Sequence, residues 1–137
     1  MCRQFVVQLP NHPGELAHVA RALASRGVNI SHISCAGAGP YACMYLSTDD
    51  DVATRAVLRG MGQPFIEGEP LLVEVEDRPG GLADVTARLS AADVNITGAL
   101  IVGRRPGFVD MTFTVDDEAR GRAALGQDER NLVGVSG

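Results

Sequence analysis

The sequence predicts an α+β fold made of one unit used twice, each with the order β-α-β-β-α-β, an antiparallel sheet and helices on one face. Three observations predict it. An internal repeat spans most of the chain. Within each copy, apolar spacing switches between alternate residues and helical spacing. Gly/Pro turns fall at matching places in both copies.

The repeat is visible by eye. Residues 9–30 read LPNHPGELAHVARALASRGVNI, and residues 75–96 read VEDRPGGLADVTARLSAADVNI. At an offset of 66, nine of these twenty-two positions are identical, among them Pro13, Gly14, Leu16, Val19, Leu23, Val28, Asn29 and Ile30. Past the next turn the offset is 67, where Met44, Asp49, Asp50, Arg55 and Leu58 meet Met111, Asp116, Asp117, Arg122 and Leu125. The extra residue lies in a turn, where two copies of one fold tolerate a length difference.

Each element has its own reason. Phe5–Leu9 is a short apolar run and reads as a strand. Pro13 suits a helix start, because the N–H it lacks would have no partner there. Leu16, Val19, Ala20 and Leu23 follow at helical spacing, and Gly27 ends the helix. Val28–Ala36 reads as a strand whose apolar parity slips by one after Ile30. The second copy slips in the same place, between Ile96 and Ala99, which predicts a β-bulge in each. Tyr41–Ser47 alternates, with Ala42, Met44 and Leu46 on one face. Asp49 or Asp50 can cap a second helix. Phe65-Ile66 and Leu132-Val133 supply a last short strand. This order is the split βαβ, or ferredoxin-like, arrangement. The units are Met1–Glu69 and Pro70–Gly137, joined by a linker too short to let them drift apart. Units this small have thin cores, so they are expected to pair, and the chain to form a homodimer.

Composition excludes several function classes. The chain has 137 residues, and 12 basic against 17 acidic side chains give a net charge of −5. Scattered Arg on an acidic chain is a poor match for nucleic-acid phosphates. No apolar run approaches the ~20 residues that cross a bilayer, so no membrane partner is expected. Three unpaired Cys, at 2, 35 and 43, point to a reducing cytoplasm. Cys35 aligns with Ile101 and reads as a small core residue. Cys43 aligns with Asp110, on the other face of its strand, and reads as exposed. The three His align with Arg78, Asp84 and Gly98, so surface positions are expected and no metal site. The runs Asp49–Asp51 and Asp116–Glu118 read as helix-start acids, not as a calcium loop. Nothing asks for a cofactor, and no nucleophile or acid/base pair stands out.

The motifs Asn11-His-Pro-Gly-Glu-Leu16 with Gly27-Val-Asn-Ile30, and Asp77-Arg-Pro-Gly-Gly-Leu82 with Asp93-Val-Asn-Ile96, resemble the ACT domain. The resemblance covers nearly the whole chain, as two tandem copies. It implies a non-catalytic sensor for a small amino acid or related carboxylate, bound where paired copies meet, near the turn before the first helix, and regulating an enzyme. It places ligand contacts at Asn11, Asn29, Asp77 and Asn95, with His12, Gly14, Glu15, Ile30, Arg78, Gly80, Gly81 and Ile96 around them. Physical chemistry supports the same places. A helix start offers free N–H groups to a carboxylate. Gly14 and Gly80 carry no Cβ to hold a ligand off. Each residue also has a plainer reading: Asn11 and Asp77 as helix caps, Asn29 and Asn95 as ties at the strand start. An interaction module that pairs by its sheet edges or helix faces, without any small ligand, is the alternative function.

Overall fold

The computed structural model describes residues 3–127. The chain divides into two compact units, Met1–Glu69 and Pro70–Gly137.

Unit one runs β1 (Gln4–Pro10), α1 (Glu15–Ala24), β2 (Ile30–Ala38), β3 (Tyr41–Thr48), α2 (Asp51–Met61) and β4 (Phe65–Gly68). Its four strands are ordered β2-β3-β1-β4, and every pairing is antiparallel. Phe5, Val7 and Leu9 alternate along β1 and share one core with Met44 and Leu46 of β3. Val19 and Leu23 of α1 and Val57 and Leu58 of α2 join the same core. Both helices therefore cover one face of the sheet, as the parity of the strands requires.

Unit two repeats the plan with β5 (Leu71–Glu76), α3 (Gly81–Ala91), β6 (Ile96–Arg105), β7 (Phe108–Val115) and α4 (Glu118–Ala124). Its described strands are ordered β5-β7-β6. The expected last strand, at Leu132-Val133, lies outside the described residues. Leu71, Val73 and Val75 pack with Met111, Phe113 and Leu89.

The bulges stand where the parity slipped, between Ile30 and His32 and between Ile96 and Gly98. β6 has a second one, between Ile101 and Gly103. Of the two candidate caps, Asp50 takes the role, accepting a bond from Ala53 N–H at 2.9 Å, and Asp117 does the same for Arg120 at 3.0 Å.

Helix ends differ between units. Gly27 is left-handed (φ 69°), and Val28 N–H returns to the Leu23 carbonyl at 3.1 Å. Such a reversal favours glycine. In unit two Asp93 adopts the same backbone (φ 58°), with Val94 N–H on the Leu89 carbonyl at 3.0 Å.

Three sequence expectations need correction. Helix α1 begins at Glu15, not at Pro13, because Gly14 turns left-handed and Pro13 stays in the turn before it. Leu16 does not join the core; it is exposed, as is Leu82, its counterpart in unit two. Cys35 is exposed rather than buried. Cys35 pairs with Met44 in register, but β2 is the sheet edge and lies beyond the cover of the helices. Ile101, on the matching edge, is 45% exposed for the same reason. Cys43 and all three His are exposed, as their repeat partners implied. Among the described residues no helix is long and apolar enough to cross a membrane, and no cluster of three or more potential metal ligands occurs.

Candidate functional site

The turn before α1 is fixed to the hairpin between β2 and β3. Asn11 N–H donates to the Pro40 carbonyl at 3.0 Å, and the Asn11 carboxamide donates to the Gly39 carbonyl at 3.0 Å. Gly37 makes this approach possible, since a Cβ there would stand 2.5 Å from Asn11 Oδ1. Asn11 therefore does not cap α1; its side chain ties the turn to the hairpin. Gly14 precedes the helix at φ 90°, a conformation open mainly to glycine. No side chain caps the helix start. Glu15, in the first turn, has its carboxylate 3.2 Å from His12 Nδ1. A Cβ on Gly14 would meet nothing within 4 Å, so space lies open beside the turn.

Unit two builds the same turn with other chemistry. Asp77 N–H donates to the Gly107 carbonyl at 3.0 Å, and its carboxylate lies 3.7 Å from Arg104. Gly80 is left-handed at φ 89°, and again no side chain caps the helix. Gly81 N–H reaches back to the Arg78 carbonyl at 3.0 Å. That step draws the start of α3 so close to β5 that a Cβ on Gly81 would stand 2.0 Å from the Glu76 carbonyl oxygen. Arg78 folds over the turn. It donates to Asp84 at 2.7 Å, to the Pro79 carbonyl at 3.1 Å, and to the Glu76 carboxylate. Asp84 first and Glu76 second raise the pKa of its guanidinium above its ordinary value.

The Asn of each Val-Asn-Ile segment is held by its backbone alone. Asn29 N–H donates to Asp49 Oδ1 at 2.9 Å, and Asp49 N–H donates to the Asn29 carbonyl at 3.1 Å. Asn95 and Asp116 make the same pair of bonds at 2.9 and 3.0 Å. Both Asn residues are exposed, and neither carboxamide has a hydrogen-bond partner among the described residues. Ile30 and Ile96, beside them, are half-buried against the two cores. The two clamping aspartates were visible in the sequence only as part of acidic runs.

Within one unit the two halves of the candidate site are apart. The Pro-Gly turn lies at the N-terminal end of α1, whereas Asn29 follows its C-terminal end. Ten helical residues separate those ends by about 15 Å. Asn11, His12, Gly14 and Glu15 are brought together at one end, Asn29 and Ile30 at the other. Unit two divides Asp77, Arg78, Gly80 and Gly81 from Asn95 and Ile96 in the same way. Asn95 and Ile96 also line an open groove of about 450 Å³ beside Ala87 and Ser90 of α3. In unit one Arg21 stands at the Ala87 position, its Nε 3.4 Å from the Ala17 carbonyl.

The fold and these turns define a class. The family model of the ACT domain matches residues 3–58 and 71–124. The chain belongs to the ACT domain family, as two tandem domains. Solved structures share the fold. One, a protein from Bacteroides thetaiotaomicron, is 19% identical, with a TM-score of 0.68, over 92% of this chain and 87% of that one. Another is the regulatory subunit of aspartate kinase from Thermus thermophilus in its ligand-free form, 22% identical, with a TM-score of 0.59, over 96% of this chain and 93% of that one. The corresponding subunit from Thermus flavus is 20% identical, with a TM-score of 0.60, over 91% and 90%. No curated protein matches the sequence.

Proposed function

We propose that this chain is a non-catalytic regulatory protein that binds a small amino acid or related carboxylate and works in the cytoplasm as a homodimer. One observation carries the reading: each unit presents an uncapped helix start behind a left-handed glycine, together with an exposed Asn carboxamide free of internal partners. Free backbone N–H groups at a helix start favour a carboxylate. A carboxamide both donates and accepts, as a zwitterion requires. Asn11 and Asp77 hold the turns in place. Arg78, paired with Glu76 and Asp84, covers the turn in unit two, and Glu15 stands beside His12 in unit one, so the two sites differ in what they prefer. A regulated enzyme is the natural target.

Thermal-shift measurement with each of the twenty amino acids tests the reading. One of them should raise the melting temperature and its enantiomer should not. At a hundredfold excess over Kd the stabilisation is about 2.7 kcal/mol. Silence from all twenty at millimolar concentration would favour the second reading, an interaction module without a small ligand. The exposed Leu16, Ile33, Leu82 and Ile101 give that reading its support.

A further inference from the structure

We infer that Arg78 closes the turn of unit two, so that the turn of unit one alone takes a ligand carboxylate. The inference rests on the proposed binding function and adds which copy performs it and which residue decides.

The two turns share a backbone and differ in what fills the space beside it. Gly14 and Gly80 hold the same left-handed conformation, at φ 90° and φ 89°. A Cβ on Gly14 would meet nothing within 4 Å, whereas one on Gly80 would stand 3.2 Å from Arg78 Nη1. The guanidinium of Arg78 therefore lies where unit one is open. The backbone donors differ as well. Gly81 N–H, the first of α3, is taken by the Arg78 carbonyl at 3.0 Å. Among the described residues no group accepts from Glu15 N–H, the first of α1. A carboxylate at unit one thus meets both an open approach and one more free donor, the combination that a helix start needs to hold an anion.

Arg78 is held over its turn from two sides. Its guanidinium donates to Asp84 at 2.7 Å, to the Pro79 carbonyl at 3.1 Å and to the Glu76 carboxylate. A planar fork of five donors can serve two carboxylates at once. With both acids engaged, Arg78 is satisfied within unit two and acts as a cover. The positions that match Glu76 and Asp84 in unit one are Pro10 and His18, so nothing there would fix a cation over the turn. His12, at the position of Arg78, pairs instead with Glu15 at 3.2 Å, and no atom of it comes within 4 Å of the Cβ site on Gly14.

Titration of the full chain with each of the twenty amino acids in turn tests the inference, with calorimetry giving the stoichiometry and amide NMR shifts the place. In the wild type, one equivalent per chain should bind, moving the amides of Glu15, Leu16 and Ala17 and not those of Leu82 and Ala83. The double variant Arg78→His with Asp84→His gives unit two the residues that unit one has at these positions. It should bind two equivalents and move the amides of both turns. A wild type that responds at the turn of unit two would overturn the inference and leave the binding function standing. A folded double variant that still binds one equivalent, at unit one, would remove Arg78 as the cause. Should the double variant fail to fold, the reciprocal pair His12→Arg with His18→Asp decides. It should abolish binding at unit one, and unchanged binding there would refute the role of Arg78. Silence from all twenty in the wild type and the variants would overturn the binding function and this inference with it.

Discussion

Asn29 and Asp49 grip each other through two bonds, Asn29 N–H to the Asp49 carboxylate at 2.9 Å and Asp49 N–H to the Asn29 carbonyl at 3.1 Å. The grip uses the backbone of the asparagine and the side chain of the aspartate, so the two residues should fail differently. Asp49→Ala should destabilise unit one by about 1–2 kcal/mol, since it removes a bond to a charged acceptor. Asn29→Ala should leave stability within about 0.5 kcal/mol of wild type. It should weaken ligand binding by about 1–3 kcal/mol by removing a polar partner. Denaturant melts together with calorimetric titration of the amino acid identified by thermal shift separate the two. An Asn29→Ala protein as unstable as Asp49→Ala would show that the carboxamide, too, serves the fold.

Gly81 and Glu15 occupy the same position in the repeat and should respond oppositely to alanine. Gly81→Ala forces a Cβ against the Glu76 carbonyl and should destabilise unit two by roughly 2–3 kcal/mol, in the range of overpacking. Glu15→Ala should change stability little, because among the described residues its carboxylate meets only the exposed His12. Chemical denaturation of both variants is the check.

Asp93 holds a left-handed backbone that unit one gives to Gly27. Asp93→Gly should therefore stabilise the chain by about 1 kcal/mol, near the strain of a non-glycine residue in that region. A lower melting temperature for this variant would show that the aspartate side chain more than offsets its strain.

Glu67 sets an acid limit on unit one. Arg55 binds it with two bonds of 2.7 Å and Arg3 adds one of 3.0 Å. The Arg55 hydrogen bond, above all, holds its carboxyl below the ordinary 4.5. The depressed pKa means that the folded state binds fewer protons, so this stability is present above about pH 4.5 and is lost as pH falls through the folded value. The gap in stability between wild type and Glu67→Gln should be constant near neutrality and narrow below that pH. A gap that stays constant down to pH 3 would count against the pairing.

Elements that recur in both copies were legible because each constrained the other. The parity slip after Ile30 meant little until Ile96 repeated it, and both became bulges. Edge position was not legible. Cys35 and Ile101 carry core-like side chains on the core side of their strands, and only strand order shows that the helices stop short of them. The left-handed glycines hid behind prolines that would also suit a helix start. Their positive φ changes what substitution there tests, because Gly14→Val or Gly80→Val would strain the backbone whether or not a ligand approaches. The candidate site residues could be named from the motifs, yet their separation by the length of α1 could not, since sequence order places Gly14 and Asn29 only fifteen residues apart without saying that a rigid rod lies between.

That rod has a consequence for signalling. A ligand small enough to be an amino acid cannot span both ends of α1, so simultaneous contact with a Pro-Gly turn and a Val-Asn-Ile asparagine demands two units. If those two units belong to different chains of the proposed homodimer, occupancy depends on the concentration of the protein as well as on that of the metabolite. By reciprocity, the ligand tightens that association by the same factor by which association tightens the ligand. Under that proposal the response follows the protein's own abundance: dilution dulls it to the metabolite, and overproduction lets it respond to less of it.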